Sequence, residues 1–361
     1  MITAEGCQAR VGRLLSALKP SGPLLLADPT NLRYLANAYV DPFHLGTDYG
    51  PLLVIRPDGS TTLISDSRAP ASLDQAFVTD RIKTKWYDGQ SAGKGSRRMI
   101  LRDALAAVGT SGRVHDDILD PDAQRLHDIV TNLRRRKDPD EVAQLKHCMR
   151  VTEVGHAWAR SNVQSGMTEL DVYAGILKEC TVAAGHAVIV YGDFAVSPGS
   201  SRRGGPPTNQ VIKAGDMLIL DFSVVIGGYR SDFTNTLVVG AEPNAGQKQL
   251  FDQCVAAMKT GEAELKAGAS CQKVYDAVHG SFAAAGVAEH FPHHAGHGLG
   301  LTHPEAPFFV TRSEGELVAG DVVTLEPGLY IDGIGGIRIE HNYLITECGY
   351  ERLSDHTIAL R

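Results

Sequence analysis

The sequence predicts two domains: a small α/β domain over residues 1–133, then a larger α+β domain over residues 134–361 built as a pseudo-twofold internal repeat. Three observations lead there. The chain has 361 residues, 43% hydrophobic and 21% charged, an ordinary globular composition with length enough for two cores. At Leu133 to Pro139, LRRRKDP, charge clusters ahead of a proline and a new helical stretch, the pattern of a junction. Beyond it, GMTELDVY at 166–173 and GASCQKVY at 268–275 lie 102 residues apart. Each opens an amphipathic helix ending near an Ala-Ala-Gly, and each half continues to a hairpin that carries two acids.

In the first domain, residues 1–20 are polar through their first turns and lack a sustained apolar core, which reads as an amphipathic helix rather than a signal peptide. Strand-like and helix-like segments then alternate at Leu24–Leu26, Leu32–Leu35, Leu52–Ile55 before the Pro57-Asp58-Gly59 turn, and Thr62–Ile64. Helical stretches are expected at about 97–108 and 121–132. No stretch approaches the roughly 20 apolar residues that span a bilayer. Six cysteines without a CxxC pair give neither a disulfide framework nor a zinc–thiolate site, so a reducing cytoplasm is the default. The formal charge of −7, with no long Lys/Arg stripe, argues against a nucleic-acid partner; the one basic run, 134–137, reads as a solvated helix end or linker.

The second domain is expected to open with a helix from Asp140 to about Asn162, with Thr168 and Ser270 as helix caps further on. Its first hairpin is DFSVVIGGYRSD, 221–232. An apolar run, Met217 to Leu220, leads into Asp221, and Gly227-Gly228 supplies the turn before Tyr229 and Asp232. A carboxylate buried at the end of such a strand must neutralise, pair with a cation or bind a metal. The second hairpin repeats the plan: Val322 to Leu325 runs into Glu326, and after a Gly-rich turn Ile337-Arg338-Ile339 runs into Glu340. Between them, HHAGHGLGLTHPEAP places His293, His294, His297 and His303, with His297 among glycines where backbone can approach an ion. Four carboxylates and one imidazole balance two divalent ions, and oxygen-rich ligation favours Mn²⁺, Fe²⁺, Co²⁺ or Zn²⁺ in a shared site.

The ordered set Asp221, Asp232, His297, Glu326, Glu340, with the strings GYRSDFTNT, GHGLG, EPGLY and GGIRIE, resembles the dinuclear metal site of the pita-bread metallopeptidases. That family holds Xaa-Pro dipeptidase (prolidase), aminopeptidase P and methionine aminopeptidase. TNLRYLANA and LLVIRPDGSTTLIS resemble the N-terminal domain of the prolidase, aminopeptidase P and creatinase branch. The resemblance implies the pita-bread fold and hydrolysis of Xaa-Pro bonds, by a dipeptidase or an N-terminal aminopeptidase, through a hydroxide between two divalent ions. Manganese comes first among these, with cobalt, zinc or iron as alternatives. It further implies that Asp221 and Glu340 bridge the ions, Asp232 holds one, and His297 and Glu326 hold the other.

Around that set, His293 and His303 are candidates to donate to an oxyanion or bind a substrate carboxylate, as is the less sharply placed His294. Arg338, two residues before Glu340, is expected to partner a ligand carboxylate. Arg202, Arg203 and Tyr229 are candidate substrate contacts. Two positions depart from the family pattern: Pro304 stands where a second histidine follows the ligand histidine, and the Gly204-Gly205 region lacks the histidine of a Pro-His pair. These departures keep open a second function, a non-peptidase lyase or hydrolase acting on a small carboxylated molecule. No G-x-S-x-G or HExxH is present, and GHGLG lacks the strand-then-helix context of a dinucleotide fingerprint. A small peptide or other small molecule is the expected partner, and the resemblance implies a homodimer.

Overall fold

Two compact units divide the chain, Met1–Arg134 and Arg135–Arg361. A computed structural model describes residues 1–40, 42–43, 50–90, 92–93, 95–110 and 112–361 of it.

In the first unit, α1 (Ala4–Leu18) begins where the Thr3 hydroxyl accepts the Gly6 N–H at 3.0 Å. It buries Cys7, Arg10, Val11 and Leu14, the stripe that helical periodicity puts on one face. After β1 (Leu24–Leu26) comes α2 (Pro29–Ala36), so Leu32–Leu35 is helical: Asp28 caps it and Pro29 presets its first turn. β2 (Leu52–Ile55), β3 (Thr61–Asp66) and β4 (Asp80–Thr84) complete a sheet in the order β1-β2-β3-β4, with only the last pairing parallel. The stretch from 99 to 108 forms two 3₁₀ turns around the four-residue α3 (Arg102–Leu105) rather than one helix, and α4 spans Ala123–Arg135. Leu25, Val54 and Ile64 pack there against Leu101, Ala104 and Val108.

The second unit opens with α5 (Pro139–Asn162), whose start is fixed by the Asp138 N–H donating to Glu141 Oε2 at 3.0 Å. Its first half is α6 (Glu169–Ala184), β5 (Ile189–Val196), β6 (Met217–Ile226), β7 (Tyr229–Arg230) and β8 (Phe233–Val238). Then α7 (Ala245–Glu262) leads to the second half: α8 (Cys271–Ala284), β9 (Gly296–Gly298), β10 (Glu305–Phe309), β11 (Val322–Leu325), β12 (Gly328–Ile331), β13 (Gly335–Arg338), β14 (His341–Ile345) and β15 (Tyr350–Arg352).

The repeat extends to single hydrogen bonds. Thr168 and Ser270, each just ahead of its helix, form antiparallel bridges with Val211 and Glu316. The Gly166 N–H donates to Ile212 O at 2.9 Å and the Gly268 N–H to Leu317 O at 2.8 Å. The Asp216 and Asp321 carboxylates each accept the backbone N–H three residues earlier, both at 2.8 Å. The caps differ: Thr168 accepts from the Asp171 N–H at 3.1 Å, whereas the Ser270 side chain makes no cap bond.

Both hairpins set their acids face to face. β6 pairs antiparallel with β5, β7 and β8, and Gly227 and Gly228, at φ 57° and 84°, make the tight turn. Asp221 lies opposite Thr234, and the same register brings Asp232 beside Ser223, on the face Asp221 shares. In the second hairpin, Leu325 pairs with His341 and Gly328 with Arg338, one register interrupted between them. Pro327 has no N–H to give the ladder, and at that gap Glu326 and Glu340 oppose each other. The two hairpins meet where the Glu340 N–H donates to Thr234 O at 3.1 Å and the Arg338 N–H to Thr236 Oγ1 at 3.0 Å. No disulfide joins any of the six cysteines. Among the described residues, no helix is long and apolar enough to cross a membrane.

Candidate active site

A cavity of about 550 Å³ opens over the paired hairpins, lined by Asp221, Asp232, His297 and Glu326 among others. Ligand-capable atoms of Asp221, Asp232 and Glu340 lie within 4.8 Å of one another, as do those of Asp232, His297 and His303, and those of His293, His294 and Glu326. Asp232 belongs to the first two of these groups, which makes it the carboxylate that links those two.

His297 is placed by backbone. Its N–H donates to Thr324 Oγ1 at 3.2 Å, and its Nδ1 stands 2.9 Å from Gly298 O. A carbonyl oxygen only accepts, so in the neutral ring Nδ1 carries the hydrogen and Nε2 is bare. Nε2 faces Asp232 Oδ2 and Glu326 Oε1, at 3.5 Å each. The flanking glycines are steric necessities: a Cβ at Gly296 would fall 2.2 Å from Thr324 O, and one at Gly298 would fall 2.2 Å from Ala306 O.

The donor set fits a cation. Glu340 Oε2 accepts the Thr234 hydroxyl at 2.6 Å, but Oε1 is buried with no partner. Burial and the Asp232 and Asp221 charges hold the Glu340 carboxyl well above the usual carboxylate range. Burial also pushes Asp221 up to about 7, aided by Asp232, Asp193 and Glu326 and opposed by Arg338. Glu326 goes the other way: burial works to raise it, but His294, His297 and His293 outweigh that and hold it low. Protein groups alone thus leave Asp221 and Glu340 under-compensated, and oxygen-rich ligation with one imidazole is the chemistry of hard or borderline divalent ions.

Arg338 is wholly committed. Nε donates to Asp221 Oδ2 at 2.8 Å, one terminal nitrogen bonds Tyr330 Oη at 2.7 Å and Arg203 O at 3.2 Å, and the other bonds Asp193 and Asp221. It therefore positions Asp221 and is not free to hold a substrate. Asp193 was not foreseen from sequence. It lies directly across the ladder from Asp221 and is the only acid in β5, an oddity that could have flagged it.

His293 is likewise occupied. Its Nδ1 lies 2.8 Å from His294 O and its Nε2 3.2 Å from Tyr330 Oη, and burial pushes it down to about 4, so it is neutral near pH 7. The Tyr330 hydroxyl takes a hydrogen bond from Arg338 and passes its own to His293. His303 is freer: Nε2 is 2.7 Å from Asp232 Oδ2 and its ring lines the cavity. Burial works against its protonation, yet the Asp232 bond and charge raise it above the ordinary histidine value. His294 Nδ1 stands 3.3 Å from Glu326 Oε1.

Two expected substrate contacts are corrected. Arg202 forms a two-pronged ion pair with buried Glu169, at 2.5 and 2.9 Å, and ties down a loop instead of lining the cavity. Tyr229 is 1% exposed, donates to Glu141 Oε1 at 2.9 Å and belongs to the core, because β7 turns it towards α5. Arg203 does line the cavity.

A sequence profile of metallopeptidase family M24 matches residues 143–347. An uncharacterized peptidase from Staphylococcus saprophyticus is 31% identical over 236 residues, 64% of this chain and 66% of that one. A probable dipeptidase, PepE, from Mycobacterium tuberculosis is 32% identical over 227 residues, 62% of this chain and 59% of that one. The match thus spans less than two thirds of either relative's length. Among solved structures, the Xaa-Pro dipeptidase from Bacillus anthracis superposes with a TM-score of 0.79 at 25% identity, covering 98% of this chain and 99% of that one. The prolidase from Pyrococcus horikoshii gives 0.78 at 23% identity, covering 98% and 100%, a likeness of fold alone.

Proposed function

The chain belongs to metallopeptidase family M24 and has its pita-bread fold, and from that premise we propose that it is a two-metal hydrolase cleaving Xaa-Pro bonds in short peptides. The observation that carries this reading is the convergence of Asp221, Asp232, His297 and Glu326 on one cavity, with Glu340 grouped beside Asp221 and Asp232 and its Oε1 buried and unpartnered.

Asp232, common to two donor groups, and Glu340, with its bare Oε1, would be the shared ligands. Asp221 would complete one side, and His297 with Glu326 the other. We propose Asp232, common to two of the donor groups, for the bridging place that the family resemblance gives to Asp221, whose Oδ2 is held by Arg338. Two divalent ions held there supply water activation at neutral pH and carbonyl polarisation. The chain's own groups do the rest. Thr234 orients Glu340, Ser223 donates to Asp232 Oδ1 at 3.1 Å, and the Arg338–Tyr330–His293 chain fixes Asp221. His303, on the cavity wall, is placed to donate to a substrate oxygen or to Asp232. One feature favours the second reading, a small carboxylated substrate: with Gly204 and Pro304 on the wall, Asp193 and Arg203 stand on that side of the cavity.

The test is turnover by mass spectrometry of Mn²⁺-loaded protein, with Asp221→Ala as control, on Xaa-Pro dipeptides, Xaa-Pro-Yaa tripeptides and matched peptides without proline. Metal-dependent cleavage confined to Xaa-Pro bonds is expected. A protein that holds two ions yet cleaves none of these peptides would turn the assignment to a non-peptide carboxylate.

A further inference from the structure

The loop between β5 and β6 is fastened on both sides of Arg203, while among the described residues no side-chain partner holds the Arg203 guanidinium and Arg202 beside it is paired. Ahead of it, the Ser200 N–H and hydroxyl bond Asp332 at 2.8 and 2.9 Å, and the Ser197 hydroxyl donates to Arg202 O at 2.5 Å. Arg202 is locked onto Glu169, which is 0% exposed and also accepts the Val196 and Thr208 N–H groups. Behind it, the Gly205 N–H donates to Asp193 Oδ1 at 2.9 Å, and Gly205 O accepts from the Phe194 N–H at 3.0 Å. The Arg203 carbonyl is itself held by Arg338. Gly204 cannot bear a side chain here, since a Cβ would lie 1.9 Å from Asp193 Oδ2.

The result is a rigid backbone that delivers one exposed guanidinium to the mouth of the cavity. Two acids that line the same cavity, Asp193 and Asp221, have their cation already, because Arg338 serves both. An arginine held by its backbone and free at its fork is preorganised for a planar anion, and a carboxylate matches its geometry.

We infer that Arg203 is the specificity residue that receives the free carboxylate of a short substrate, so that the preferred substrates are dipeptides with an unblocked C-terminus rather than the ends of long peptides. The inference rests on the cavity being the reaction site, as proposed above, and concerns recognition rather than bond cleavage. Longer peptides place an amide where the carboxylate would sit, and forfeit a charge-assisted pair.

The experiment compares Gly-Pro and Ala-Pro with their C-terminal amides, on Mn²⁺-loaded wild type, Arg203→Gln and Arg203→Lys. Binding is read by calorimetry and, separately, cleavage by kcat and KM. The wild type is expected to favour the acid over the amide by about 10- to 100-fold, through KM rather than kcat. Arg203→Gln collapses that ratio towards one, and Arg203→Lys restores part of it. No acid preference in the wild type, no binding of either form, or a preference that survives Arg203→Gln overturns the inference. Reading binding apart from cleavage separates the two claims. An Arg203-dependent carboxylate preference without Xaa-Pro cleavage would remove the peptidase reading and keep Arg203. Xaa-Pro cleavage indifferent to Arg203 would do the reverse.

Discussion

Asp221 and Glu326 hold matching places in the two halves of the second unit, each following an apolar run in a paired strand, yet the halves treat them in opposite ways. Across the ladder from Asp221 stands another acid, Asp193, and Arg338 is drawn in to serve both. The Glu326 N–H instead donates to Ala295 O at 2.9 Å, and His293, His294 and His297 gather round its carboxylate. Burial, with Asp232 and Asp193 adding to it, pushes Asp221 up to about 7; acid beside imidazole holds Glu326 low despite burial. The repeat supplies the framework twice, and the chemistry comes from the places where the copies differ.

The comparison breaks most severely at the ligands. Glu340→Gln, which keeps the Thr234 contact but removes a charge, is expected to abolish binding of at least one divalent ion and lower turnover on the order of 10³-fold. Metal content after dialysis and kcat measure this. The turn acids come next. Asp321 is 0% exposed and held by Arg135 at 2.7 and 3.0 Å, whereas Asp216 in the other half is partly exposed and caps only its own turn. Asp321→Ala should cost about 3–5 kcal/mol, because a half-buried Arg135 loses its partner, and Asp216→Ala about 1 kcal/mol or less. Equal shifts in urea midpoint would contradict the difference drawn between the halves.

Arg338→Lys keeps the charge but cannot serve Asp221, Asp193 and Tyr330 together, so a loss of about 10- to 100-fold in metal affinity or activity is expected. Acid stability gives a further handle. Behind β8, His156 donates to Phe233 O and His356 to Thr234 O, both at 3.1 Å, and the two rings lie 4.9 Å apart. Burial pushes His156 far below its ordinary value and His356 down to about 4. The unfolded chain takes up protons first, so stability is intact above about pH 6.5 and falls as pH drops towards 4, by about 1.4 kcal/mol per pH unit for each histidine. His356→Gln should flatten that slope in a series of melting curves. The smallest effect is at the caps: Thr168→Ala should cost about 1 kcal/mol and Ser270→Ala only a few tenths, since only Thr168 makes the cap bond.

Much of this was legible in the sequence, for physical reasons. Acids ending apolar runs around Gly-Gly and Pro-Gly turns are conspicuous because burying them is costly, and the order of hairpins fixes which acids share a face. The halves were visible through their glycines and caps, which backbone geometry demands. What was hidden depended on partners far away in the chain. Asp193 is one acid in a strand until register sets it against Asp221. Arg202 and Arg203 look alike in sequence, and only the buried Glu169, far upstream, tells them apart. Tyr229, beside the first ligand pair, has its hydroxyl turned to Glu141 by the alternation of β7.

The most direct test of the central claim is the number of divalent ions bound per chain, counted by elemental analysis after chelation and reloading with Mn²⁺, alongside peptide cleavage at each loading. Two ions per chain, with Xaa-Pro cleavage that vanishes on chelation and returns on reloading, is the expected result. Cleavage undiminished by full metal removal, or a chain that takes up no divalent ion, would contradict it.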